Sequence, residues 1–329
     1  MTAAFLFPGQ GSQAVGMLSS LARRPEVARL LETADRVLGE SLSTMIADGP
    51  ADALALTANT QPAMLVAGLS CFEAWRADGG PLPAFMAGHS LGEYTALTAA
   101  GAIDADRAIS LVRLRANAMQ QAVPVGSGAM AAILGLNDDQ VREACDRARE
   151  NGPNAQRAAS GADLVEVVEP ANFNAPSQVV IAGHKAAVER ACEAAKAMGA
   201  KRAMLLAVSA PFHSSLLEPA GRVLAAALTD VPLRSPAVAV VNNVDVAIET
   251  DPDRIRDALV RQASRPVRWV ETIELLVERG VDRFIEFGPG RVLAGLVRRI
   301  VPSATAEAVH DAESLAKALG AAASGAART

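Results

Sequence analysis

Gly88-His89-Ser90-Leu91-Gly92 is where the chain most plainly offers chemistry. An apolar run, 84–87, precedes it and a helix-forming run, 91–100, follows it. Strand, tight turn and helix in that order make a nucleophile elbow, with Ser90 as the nucleophile. The turn pushes the hydroxyl out of the fold, and the flanking glycines let neighbouring backbone come close where a Cβ would clash. The helix that follows points N–H groups and its positive dipole end at the place where negative charge would develop on a substrate oxygen. The plain alternative is a chance G-x-S-x-G in a chain of 25 glycines, which the strand before it and the helix after it weigh against.

A serine hydroxyl needs a base near neutral pH. The chain has four histidines, so the choice is narrow. His89 adjoins Ser90, and neighbours at an elbow point apart. His184 ends an apolar strand-like run and reads as a surface residue. His310 lies in a C-terminal region of weak pattern. His213, in Val208-Ser209-Ala210-Pro211-Phe212-His213-Ser214-Ser215, is the candidate base, with a capping or core role as its alternative. No acid stands out as a third member. Asp230, Asp245 and Asp251 each have a turn or helix-start reading, and a backbone carbonyl can orient an imidazole instead.

Two further groups bear on the site. Phe7-Pro8-Gly9-Gln10-Gly11-Ser12-Gln13 is a tight loop after an apolar strand, where α/β sheets bind ligands. The Gln10 N–H is thus a candidate oxyanion donor beside the Leu91 N–H, with an ordinary turn as the alternative. Arg113 and Arg115 lie in the helical run after the elbow. Either is a solvated surface cation or a clamp for a substrate carboxylate.

The elements that must position these groups alternate along the chain. Strands are expected at 5–7 and 84–87, with helices at 25–38, 61–77 and from Asp104 to near Pro124. That alternation argues for a mostly parallel sheet covered by helices. From Gly128 the order changes to β-α-β-β-α-β: strands at 129–136, 165–169, 178–182 and 203–208, helices at 138–150 and 185–198. This is the order of a ferredoxin-like unit. The expected architecture is therefore a discontinuous large α/β domain, 1–126 and 207–319, with a ferredoxin-like small domain inserted at 127–206. Segment 151–161 reads as an extended surface loop and 320–329 as a flexible tail. The second half of the large domain carries helices at 215–228, 252–262, 269–279 and 292–300, with strands at 237–241 and 284–287. The ligand site is expected in the cleft between the two domains.

Composition narrows the class. Half of the 329 residues are apolar, enough for a large core, while aromatics are only 3 %, so Ala, Leu and Val must fill most of it. A net charge of −5 argues against a nucleic-acid partner. Cys71, Cys145 and Cys192 are far apart and odd in number, which suggests neither a disulfide framework nor a zinc site. The N-terminal apolar run is too short for a secretory signal, and the interrupted run 63–75 is too short to span a bilayer. A cytoplasmic protein with no membrane partner is the expectation.

Taken together, Phe5–Gln13, Gly88-His89-Ser90-Leu91-Gly92-Glu93, Asn172-Phe173-Asn174, Val241-Asn242-Asn243 and Glu286-Phe287-Gly288-Pro289-Gly290 resemble the malonyl-CoA:acyl carrier protein transacylase family, in order, from about residue 4 to about 300. The resemblance implies an α/β-hydrolase-like large domain. It implies that Ser90 is acylated by malonyl-CoA, with His213 as general base and acid and with Gln10 and Leu91 as oxyanion donors. Arg115 would clamp the free carboxylate of malonate. The main-chain carbonyl of Gln262 would orient the histidine, which would account for the missing acid. His89, Phe212 and Asn174 would line the pocket, the Phe212 ring crowding a branch at C2 and favouring malonyl over branched units.

The resemblance also implies transfer of malonyl to the phosphopantetheine thiol of holo acyl carrier protein, with no cofactor beyond the coenzyme A thioester substrate. Fatty acid biosynthesis is the leading setting. A trans-acting polyketide synthase or a malonate decarboxylase malonyltransferase is the alternative. An acidic carrier would want local basic charge, for which Lys185, Lys196, Lys201, Arg202, Arg298 and Arg299 are candidates. Two rivals use the same residues differently: a serine thioesterase or esterase, and a non-catalytic scaffold that binds a carrier protein.

Overall fold

The computed structural model describes residues 2–152 and 166–326. Among them are the strands β1 (Thr2–Phe7), β2 (Phe85–Gly88), β3 (Gly128–Leu134), β4 (Val168–Ala175), β5 (Gln178–His184), β6 (Arg202–Leu205), β7 (Ala239–Val241), β8 (Val281–Phe287) and β9 (Thr305–Val309). They form an all-parallel sheet in the order β7-β2-β1-β8-β9 and an antiparallel sheet in the order β4-β5-β3-β6. The architecture is thus mixed α/β, and the second sheet has the strand order of a ferredoxin-like unit.

Residues of β1 alternate between the two faces of the parallel sheet. Phe5 and Phe7 belong to one buried cluster, Ala4 and Leu6 to another, so helices cover both sides. The scarce aromatics are concentrated rather than spread. Phe5, Phe7, Phe72, Trp75 and Phe287 pack with ring centroids 4.6 to 6.3 Å apart, where the helix Thr57–Ala77 crosses β1 and β8. The antiparallel sheet buries one face under the helices Asp138–Glu150 and Lys185–Ala197. Its other face presents Met130, Ala171, Val180 and Ala182 toward Leu206, Val208 and Phe212.

Several expectations need correction. The strand expected at 165–169 and closed by Pro170 instead runs from Val168 through Pro170 to Ala175. Proline is tolerated because β4 lies at the edge of its sheet and its register shifts between Pro170 and Asn172. That edge is not left open. Phe173 N–H donates to Val267 O, and Val267 N–H donates to Ala171 O, each at 2.9 Å, which joins the small sheet to the rest of the chain.

The flexible tail expected at 320–329 is helical as far as Ala326, in a helix Ala312–Ala326 that follows β9 and buries Leu315 and Ala318. An alanine-rich segment forms helix readily once one face has a core to pack on; residues 327–329 lie outside the described residues. So does 153–161 of the loop expected at 151–161. The helix expected at 61–77 starts at Thr57, and the short helices Leu42–Asp48 and Ala51–Ala55 were not anticipated. No helix among the described residues is long and apolar enough to cross a membrane.

Candidate active site

The elbow forms as its residue types demand. Ser90, between β2 and the helix Leu91–Ala99, has φ 54° and ψ −110°, a strained conformation for a residue with a side chain. A Cβ on Gly88 would lie 1.9 Å from the Gly92 backbone, and one on Gly92 would lie 1.9 Å from Phe7 O. Only glycine lets the new helix sit this close to β1. Asn243, just after β7, pins the turn from the side. Its Oδ1 accepts the Ser90 N–H and its Nδ2 donates to Gly88 O, both at 2.7 Å.

His213 reaches Ser90 from the chain that returns from the small sheet. The Nε2–Oγ distance is 2.6 Å. Its Nδ1 faces two main-chain carbonyls, Gln262 O at 2.9 Å and Arg265 O at 3.2 Å. Carbonyls can only accept, so the proton sits on Nδ1 and the Nε2 lone pair faces the serine. Burial, reinforced by the positive charge of Arg115, pushes the imidazole down to about 3, so it rests neutral. None of the three candidate acids approaches it. Asp245 pairs with Arg261 at 2.7 Å, Asp251 caps a helix through Asp253 N–H at 2.9 Å, and Asp230 ends the helix Glu218–Thr229.

The two arginines separate cleanly. Arg113 pairs with Glu40 toward solvent. Arg115 is 1 % exposed and turns inward. Its Nη1 donates to Gln61 Oε1 at 2.6 Å, while Nη2 donates to Gln262 Oε1 at 2.9 Å and to Ser90 Oγ at 3.1 Å. The guanidinium lies 5.3 Å from the centre of the Tyr94 ring, and its Nε–H has no partner. All these partners are neutral. A buried cation beside a candidate nucleophile, with no carboxylate bonded to it, has the chemistry to take an anion from a ligand.

Ser90, His213 and Arg115 open on a cavity of about 150 Å³ that Gln10, Gln61, His89, Leu91, Met119, Met130, Asn172, Leu206, Val208 and Phe212 also line. It lies between the elbow and the cleft-facing side of the antiparallel sheet. His89 is part of its wall. The ring bonds Asn174 Oδ1 through Nε2 at 2.8 Å and leans on Trp269 at 5.4 Å between centroids. Asn174 does not line this cavity. It lines an adjoining one of about 250 Å³ that shares Gln10, His89, Asn172 and Leu206 with the first. Among the other histidines, His184 is tied into the small sheet, its Nδ1 accepting Val167 N–H at 2.9 Å, and half-buried His310 contacts Asp311 at 3.3 Å.

Sequence reasoning brought together Ser90, His213, Gln10, Leu91, Arg115, Gln262, His89 and Phe212, and missed three polar groups that complete the site. Asn243 and Glu93 had a visible signal: the second of two asparagines that follow a short apolar strand, and a lone charge in the otherwise uncharged helix Leu91–Ala99. Gln61 had none, because the helix that carries it is buried nearly all round.

Comparison with known proteins identifies the family. Residues 4–319 match the acyl transferase domain family. The chain is 49 % identical over 317 residues to the malonyl CoA-acyl carrier protein transacylase of Escherichia coli K12, covering 96 % of this chain and 98 % of that protein. The crystal structure of the acyl-carrier-protein S-malonyltransferase of Burkholderia pseudomallei superposes with a TM-score of 0.92 at 54 % identity, over 97 % of this chain and 100 % of that one. A malonyl-transacylase in complex with its type II polyketide synthase acyl carrier protein superposes equally well, 0.92 at 48 % identity, over 98 % and 100 %. Similarity of this extent, along almost the whole length of both partners, means that the chain belongs to the malonyl-CoA:acyl carrier protein transacylase family of acyl transferases.

Proposed function

We infer that this enzyme moves a malonyl group from coenzyme A to the phosphopantetheine thiol of an acyl carrier protein through a malonyl ester on Ser90. Fatty acid biosynthesis is its setting and the cytoplasm its location. The observation that carries the choice of acyl group is Arg115: a buried guanidinium with neutral partners, bonded to the nucleophile.

In the first half-reaction Ser90 Oγ attacks the thioester carbonyl while His213 Nε2 takes its proton. The Gln10 and Leu91 N–H groups hold the tetrahedral oxyanion, each worth roughly a hundredfold or more in rate. Collapse breaks the C–S bond, and His213 returns the proton to the departing coenzyme A sulfur. In the second half-reaction the carrier thiol gives its proton to His213 and attacks the ester, and Ser90 Oγ leaves with that proton. The imidazole starts neutral, as a base must, and the Gln262 and Arg265 carbonyls steady the imidazolium that forms. Arg115 holds the distal carboxylate, so acetyl-CoA leaves a buried guanidinium unmatched. Phe212 crowds C2 and disfavours branched units.

The test is intact-mass detection. Incubation with malonyl-CoA alone should give a malonyl adduct that Ser90→Ala abolishes, and holo carrier protein should discharge it to malonyl carrier. Rapid hydrolysis without a thiol acceptor would instead make the protein a thioesterase. Unaltered transfer by Ser90→Ala would leave it a scaffold.

A further inference from the structure

Glu93 has no part in the mechanism just described, yet its carboxylate is 2 % exposed, one turn along the helix from the nucleophile. Its Oε2 accepts two hydrogen bonds from groups about 150 residues away or more. One is the Asn243 main-chain N–H at 3.0 Å and the other is Gln262 Nε2 at 2.8 Å. Both donors belong to residues that touch the site. The Asn243 side chain pins the elbow, and Gln262 O faces His213 Nδ1.

The Gln262 amide has two ends, and its surroundings permit one orientation. On one side stands the Arg115 guanidinium, which can only donate. On the other stand the Glu93 carboxylate and Ser90 O, which can only accept. The amide must therefore turn Oε1 to Arg115 and Nε2 to Glu93. Without the carboxylate, an acceptor that holds Nε2 in place is lost and the amide is freer to turn. A turned amide would set NH₂ against Nη2, donor against donor, and push the guanidinium off the line it takes toward Ser90. Burial pushes the Glu93 carboxyl up to about 7, opposed by the Gln262 and Asn243 donors and by Arg115; because both donors bond Oε2, a proton taken up there sits on Oε1 and Oε2 accepts in either state.

We propose that Glu93 is a positioning residue for acyl-group selection: its carboxylate orients the Gln262 side-chain amide, and through it aims Arg115 at the substrate carboxylate. This deepens the reading of Arg115 as a malonate clamp and rests on it.

The experiment compares Glu93→Ala and Glu93→Gln with wild type. Acylation of Ser90 by malonyl-CoA and by acetyl-CoA is followed by mass, together with kcat and KM. A Glu93→Ala enzyme should lose about tenfold or more of the malonyl-to-acetyl ratio of kcat/KM, chiefly through KM for malonyl-CoA. Glu93→Gln keeps an acceptor oxygen at the same reach and should restore the ratio to within about threefold of wild type. An unchanged ratio in Glu93→Ala, with both donors slowed alike, overturns the proposal, because a purely structural defect does not discriminate between acyl groups. Should Glu93→Ala not fold, Glu93→Asp decides, since it keeps the charge but draws the acceptor back by a methylene from Gln262 Nε2 while leaving the Gln262–Arg115 bond in place, and the ratio should again fall. An unchanged ratio there is equally fatal. Failure of the underlying reading would look different: wild type itself would show no preference for malonyl-CoA, or no adduct on Ser90.

Discussion

Arg115 donates to the very hydroxyl that His213 is placed to deprotonate: Nη2 lies 3.1 Å from Ser90 Oγ. In the proposed mechanism the cation that would hold the substrate carboxylate and the base that would activate the nucleophile thus meet at one atom. A carboxylate entering the cavity would give Arg115 a charged partner in place of a neutral one, at the moment the thioester must be aligned for attack.

Replacing Arg115 by alanine should therefore erase the preference for malonyl-CoA. The malonyl-to-acetyl ratio of kcat/KM is expected to fall roughly a hundredfold or more, the scale on which a buried charge pair is lost. Steady-state kinetics with both donors measures it, and a ratio that does not move would take the carboxylate away from Arg115.

The pH response of the nucleophile should show the depressed imidazole. A histidine whose value falls from 6.5 to about 3 keeps its base form down to the lower value. Acylation of Ser90 by a neutral sulfonyl fluoride, which makes no use of Arg115, should slow less than about threefold between pH 8 and pH 5.5. An ordinary histidine would lose about tenfold over that span. A limb near pH 6.5 would contradict the burial argument. The same depression makes His213 a contributor to stability that is present above the unfolded value and lost as pH falls toward 3, because the unfolded chain takes up the proton first.

Asn243→Ala should uncouple the elbow. It strips the Ser90 N–H of its acceptor and Gly88 O of its donor in a buried setting. A stability loss of about 2–4 kcal/mol is expected from the stranded groups. Denaturant unfolding reads that loss, and Ser90 acylation should fall with it. A variant as stable as wild type would mean the turn holds itself.

Gly92→Ala should be worse than any polar change at the site. Its Cβ would lie 1.9 Å from Phe7 O, backbone that cannot yield without moving β1. A loss above about 4 kcal/mol, seen as insoluble protein or a collapsed Tm, is the expectation. Normal folding of this variant would mean that the helix after the elbow can ride away from the sheet.

Much of this protein was legible in its sequence because the relevant forces are local. The elbow announces itself by a glycine, a serine and a glycine between a strand and a helix, since steric exclusion acts over a few residues. The β-α-β-β-α-β order, and the helices at 25–38, 138–150, 252–262 and 292–300, follow from short-range apolar periodicity. What the sequence could not decide depends on chain segments that meet only after folding. Nothing local distinguishes Arg113 from Arg115. Two positions along one helix turn one cation toward Glu40 and solvent and bury the other against the nucleophile. Pro170 looked like a strand terminator until the edge position and the partner Val267 were known. The tertiary structure alone brings Glu93, Gln262 and Asn243 together, because hydrogen-bond satisfaction in a buried site is settled by whichever donors and acceptors the packed elements carry there, however far apart they lie in the chain.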